Sequence, residues 1–478
     1  MYLYELSAIL IYFSVLLSIG IISYQKQLSA SDFIIGSRSM NYWLTALAAH
    51  ASDMSSWLFM GYPAAILLGG VFKAWAAIGL VLFMFLNWVL VAPKIRIATE
   101  QYNSLTFSSF FESRLADTSG IIRIFTAIMS LIFYTIYLSA GLVGLGLLLE
   151  ILFNLDYHLG ILIGIVVVIP YVFIGGYTTL AWIDLFQGIF LMCVIIIVPL
   201  YVLPKIGGWN EMFSQIESKN LTTQLIPDFS TKTFAIILLE MLGWGLGYFG
   251  QPHIITKFMG IRHVHEIWKS RNVGMSWMII SLSAATLVGL VGIAFFKTSL
   301  ADPEQVFIEM VRATFHPFLI GLILCAVLAA TINAMSSQVL VVSSSLTEDF
   351  YKRIFHKTAS PKELLIVSRL GVIIVGVFAF FIAYGNITSI YSLVLYAWSG
   401  LGAAFGPLLL LSLYTKSINK VGAWAGILLG GGVSAIWPYC NRIFQMDIPS
   451  IIPAFFISLF AILIVSYLFS KKLSSRTA

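Results

Sequence analysis

The chain has 478 residues, 59% of them hydrophobic and only 10% charged, with a mean hydropathy of +0.95. A water-soluble domain of this length needs far more charge to cover its surface, so a soluble globular fold is excluded. The formal charge of +6 does not point to nucleic acid, because the cations are spread among the links between apolar runs.

Those runs recur from end to end, at roughly 6–24, 41–70, 72–93, 121–152, 158–175, 179–203, 232–256, 274–296, 316–348, 364–384, 387–414, 421–440 and 450–470. A bilayer crossing takes about 20 residues. The expected fold class is therefore an all-α polytopic membrane protein with about 13 transmembrane helices. With the N-terminus outside and the C-terminus cytoplasmic, Lys73, Lys205, Lys219, Lys232, Lys297, Arg312 and Arg442 fall outside, and the other twenty of 27 cations fall inside. This follows the positive-inside rule and requires an odd number of spans. The basic excess also attracts anionic lipid. The first run is long enough to be a span, so no cleaved leader is expected. Cys193, Cys325 and Cys440 have no paired spacing and read as packing residues.

Two runs are unlike ordinary membrane helices. The second contains HASDMSSW, His50 to Trp57, which places Asp53 among small hydroxyl residues near the middle of a span. The seventh contains MLGWGLGYFGQPH, Met241 to His253, with four glycines in eight residues and then a proline. Such a stretch weakens a helix strongly. A literal GxGxxG lies there, but dinucleotide binding needs a preceding strand and a soluble βαβ unit. Each special run opens a block of five spans, and five is odd, so the blocks enter the membrane from opposite sides. Interrupted helices at matching places of a 5+5 inverted repeat point to a transporter's binding site. The expected organisation is a first span and link at 1–40, repeat one at 41–203, an outer link at 204–231, repeat two at 232–414, and two flanking spans with a tail at 415–478. Asn220-Leu221-Thr222 and Asn386-Ile387-Thr388 form glycosylation triplets that arise often by chance.

Asp53 is the leading candidate for cation handling, since a carboxylate inside a span costs about 2.5–3.5 kcal/mol or more. Hard alkali ions want oxygen ligands, including carbonyls freed where a helix unwinds; Ala51 and Met54 offer these, and Ser52, Ser55 and Ser56 add hydroxyls. Asp184, Glu240 and His50 are further groups with a possible ion or coupling role, each with a structural or solvated alternative. Tyr134, Tyr137, Trp244, Tyr248 and Phe249 offer aromatic faces with polar tips, as packing or as a ligand wall. Asn333, Ser336 and Ser337 place polar atoms on span nine, for helix contacts or for an ion.

Several stretches, SDMSSWLFMGYPAA, FYTIY, GWGLGYFGQPHI, LTEDFYK and AWSGLGAAFGP, together resemble the proline branch of the sodium:solute symporter family, over nearly the whole chain. The resemblance implies an inverted five-helix repeat of the APC-like kind and cation-coupled uptake of L-proline across the bacterial cytoplasmic (inner) membrane. It implies substrate contacts at Ser55, Trp57, Tyr137, Trp244 and Tyr248. It implies a sodium site at Ala51, Asp53, Met54, Ala330 and Asn333, in which water or Ser337 replaces the ligand lost at Ala334. This chain departs from the family at Asn333 and Ala334, where two adjacent hydroxyl residues are usual. An asparagine carbonyl can bind sodium; an alanine side chain cannot. His50 and Glu240 also replace uncharged residues.

The expected function is a secondary transporter importing L-proline with sodium, by alternating access. Coupling to protons, or to no ion, is the alternative, and a transporter-like sensor is a different class. No signalling domain is expected after the last span. No obligatory protein partner is expected. An enzyme is not expected, as no nucleophile–base set or metal motif is present.

Overall fold

The computed structural model describes residues 2–23, 30–356, 358–385 and 388–474. The sequence-predicted cytoplasmic cations Lys26, Lys357 and Arg476, and the triplet beginning at Asn386, lie outside these. The described residues form helices in chain order: α1 (Tyr2–Ser23), α2 (Tyr42–Ala51), α3 (Tyr62–Gly69), α4 (Ala74–Leu86), α5 (Ile121–Phe153), α6 (Tyr157–Val202), α7 (Thr231–Gly245), α8 (Pro252–Met259), α9 (Ile267–Phe295), α10 (Pro317–Ser344), α11 (Pro361–Tyr384), α12 (Ile390–Tyr414), α13 (Lys420–Phe444) and α14 (Ile451–Ser474). In a bilayer the backbone must satisfy its own hydrogen bonds, and helices do this within a single segment.

Eleven described helical runs are long and apolar enough to cross a membrane, which makes this a multi-pass membrane protein. The sequence expectation was thirteen. One reason for the difference is that Trp57–Gln101, a single run of 45 residues, is twice spanning length and holds the latter part of the second predicted crossing and all of the third. Gly70, at φ 67°, turns the chain between α3 and α4, a backbone conformation that suits glycine. A second reason is α6, whose 46 residues run helical through the expected gap between spans five and six. Its Tyr157–Val166 portion is apolar but short.

The broken helices are visible as such. In the first, α2 stops at Ala51 and a π-helical turn, Trp57–Gly61, resumes before α3. In the second, α7 passes into a 3-10 turn, Leu246–Gly250, then extended Gln251, then α8. The scaffold helices α5, α6, α9 and α10 pack around them, and α12 lies against the second break.

Candidate substrate and ion site

The first break arises from side chains that compete with the helix ladder. Ser52 donates its hydroxyl to the Ala48 carbonyl at 2.5 Å, a local bond that favours ending a helix. Ser55 Oγ accepts the Trp57 amide at 3.3 Å where the chain turns helical again. The carbonyl of Ala51, at the end of α2, is one of the four that a helix end leaves without an intrahelical donor. Asp53 sits in this gap, 7% exposed.

The second break falls in the glycine-rich stretch before Pro252, where the sequence reads as weak helix. None of Gly243, Gly245, Gly247 and Gly250 has a positive φ, so no left-handed turn makes the break. They also permit close approach. A Cβ on Gly247 would overlap the Trp398 indole, one on Gly245 the Phe83 ring, and one on Gly250 would lie 2.6 Å from the Leu401 carbonyl. The GxGxxG pattern is thus a packing surface inside a membrane helix.

The two breaks meet at a cavity of about 260 Å³, counting its open mouth, lined by Asp53, Met54, Trp57, Leu80, Tyr137, Trp244, Tyr248, Val394 and Trp398. Tyr248 donates its hydroxyl to Asp53 Oδ2 at 2.5 Å, bridging the two broken helices. Trp57 and Trp244 have ring centroids 4.8 Å apart. Trp244 Nε1 donates to Tyr391 Oη at 2.9 Å. Beyond this layer, Lys73 Nζ and Glu240 Oε1 pair at 2.5 Å. Glu304, in an outer link, accepts the amides of Ile390 and Tyr391, both at 2.9 Å. It thereby caps α12, which carries Val394 and Trp398. Burial pushes the Glu304 carboxyl above its ordinary range, against those two hydrogen bonds.

Of the sequence candidates, Asp53, Met54, Trp57, Tyr137, Trp244 and Tyr248 therefore share one cavity. Ser55 is buried but acts on the Trp57 amide rather than lining it. Tyr134 turns away to hydrogen-bond His253 Nδ1 at 3.0 Å, and Phe249 packs on Phe83. His50 is fully buried, its Nε2 accepting from Trp88 Nε1 at 3.2 Å. Asp184 pairs with Lys257 at 3.3 Å, both side chains 3% exposed. Ser337 and Lys257 line a second cavity, about 510 Å³, with Ser130, Tyr177 and His253. Ala330 and Asn333 are buried on α10, which touches α2. Both amide atoms of Asn333 are buried without a hydrogen-bond partner. A buried polar group in that state is costly unless something binds it.

Sequence reasoning missed Trp398, Leu80, Val394 and Tyr391. It also missed Asn87, whose Nδ2 donates to the Tyr248 carbonyl at 3.1 Å and covers a group the break leaves open. The only available signal was the AWSGLGAAFGP stretch, which contains Trp398 but does not show that it faces the break.

Residues 33–430 match the sodium:solute symporter family. The chain belongs to that family. It is 40% identical over 460 residues to the high-affinity proline transporter of Bacillus subtilis, covering 95% of this chain and 96% of that one. It is 38% identical over 466 residues to the sodium/proline symporter of Salmonella typhimurium, covering 96% and 92%. Among solved structures, a Na+-coupled sialic acid symporter in a substrate-bound outward-open state superposes with TM-score 0.82 at 18% identity, covering 97% and 98%. MhsT in complex with L-phenylalanine superposes with TM-score 0.59 at 14% identity, covering 90% and 98%. At such identities the structures speak for the fold alone.

Proposed function

We propose that this protein takes up L-proline with sodium across the bacterial cytoplasmic membrane, by alternating access. The observation that carries the reading is the cavity between the two breaks. One carboxylate is held there by a tyrosine, and the remaining walls are largely aromatic faces. A cyclic amino acid needs an apolar partner for its ring and polar groups for its ends. The relatives named as proline transporters, at 38–40% identity over nearly full length, support the same substrate.

In this reading Ser55, Trp57, Tyr137, Trp244 and Tyr248 serve the substrate. Ala51, Met54, Ala330 and Asn333, with Asp53 supplying charge, serve the ion. A bound ion would hold α2 against α10, and its release inside would loosen that contact and free the substrate. The ion drives transport only through different affinities for the outward and inward states. Thirteen crossings in a 5+5 inverted repeat, with the N-terminus outside, complete the proposal.

The experiment is radiolabelled proline uptake into proteoliposomes, with sodium and proton gradients imposed separately. Accumulation driven by inward sodium is expected. Accumulation driven by protons, with sodium excluded and no response on adding it, overturns the choice of ion. No proline uptake under either gradient overturns the substrate.

A further inference from the structure

We propose that Trp398 sets the ring size that the cavity accepts, by holding a fixed wall against the second broken helix. This inference rests on the cyclic amino acid reading above. Trp398 lies on α12, outside both breaks, yet it lines the same cavity as Trp244 and Tyr248. Three contacts keep it from adjusting. Its Nε1 donates to the Trp244 carbonyl at 2.8 Å. Its own carbonyl accepts from Gln251 Nε2 at 3.1 Å. Its indole fills the space where a Cβ of Gly247 would stand.

The indole also meets the Tyr248 ring edge to face, with centroids 5.0 Å apart at 89°. Tyr248 in turn holds Asp53. Trp398 therefore fixes both the aromatic wall and, through Tyr248, the place of the carboxylate. A wall that can move adapts to a larger ligand; a wall tied at both ends rejects it. A missing or extra methylene in an apolar pocket typically changes selection by roughly ten- to two-hundredfold.

The test compares three cyclic imino acids, with four-, five- and six-membered rings, as competitors of proline binding to the purified, reconstituted protein. The unaltered protein should prefer the five-membered ring to the six-membered one by at least about tenfold. Trp398→Phe shortens the wall and removes the Nε1 donor. It should shift the six-to-five affinity ratio toward the larger ring by about tenfold, beyond any common loss for all three. A merely structural role would weaken all three in proportion and leave the ratio unchanged, which overturns the inference. Should Trp398→Phe fail to fold, Val394→Ala carries the test. Val394 lines the cavity four residues earlier on the same helix face, and its truncation must shift the ratio the same way. An unaltered protein that binds no cyclic imino acid overturns the substrate reading and this inference with it. Proline binding with an unchanged ratio in the variants overturns this inference alone.

Discussion

The first break is made by oxygen and the second by space. Between Ala51 and Trp57 the helix yields to side chains: Ser52 takes a carbonyl, Ser55 takes an amide, and Asp53 occupies the gap. Between Gly245 and Pro252 the chain yields to close packing, with Phe83 and Trp398 pressed where glycine side chains are absent. Gln251 then holds the Gly247 carbonyl at 3.3 Å. A break rich in oxygen gathers charge, and a break lined by aromatic faces gathers apolar surface. In the proposed reading, the ion belongs to the first helix and most of the ring contact to the second. The Tyr248–Asp53 bond is the point where the two functions touch.

The contrast can be broken most sharply at Asp53. Asp53→Asn keeps an acceptor for the Tyr248 hydroxyl but removes the charge. Sodium-driven proline uptake is expected to fall to background while the protein still inserts; sodium-driven uptake within twofold of the unaltered rate would separate the first break from ion handling.

Gly247→Ala should produce the next largest effect. The added methyl must displace the Trp398 indole, and overpacking of this kind costs about 1–3 kcal/mol. A lower unfolding temperature of the purified protein and weaker proline binding are both expected. Normal behaviour in both would mean that the second break is not held by packing.

Trp244→Ala and Tyr137→Ala test the apolar side directly. Losing one good apolar contact should cost about 1–3 kcal/mol, or roughly ten- to a hundredfold in proline affinity. Sodium affinity measured without substrate should change far less. Equal losses for sodium and proline would erase the division between the breaks.

The smallest effect is expected on α10. Ala334→Ser restores a hydroxyl beside Asn333 in a fully buried position, and should tighten apparent sodium affinity a few-fold. Asn333→Ala should weaken it, with proline affinity recovered at saturating sodium. An unmoved sodium dependence in both variants would place the ion elsewhere.

Composition and hydropathy alone determined the membrane class, since 10% charge cannot coat a soluble domain of this length. The two odd stretches were legible for a similar reason: an acid among serines, and glycines before a proline, are locally poor helix. Six candidates from those stretches and from FYTIY do share one cavity. Local sequence could not say which face a residue would turn. Tyr134 and Tyr137 are three apart on α5, yet one serves His253 and the other the cavity. Nor could it supply Trp398, which reaches the site only because α12 folds back across 147 residues to meet Gln251. The lysine that neutralises Asp184 comes from 73 residues away. Periodicity and composition act over a turn or two of helix, whereas a site between helices depends on which distant faces pack together. The tertiary structure decided that, and it also decided which neighbours press against the glycines of the second break.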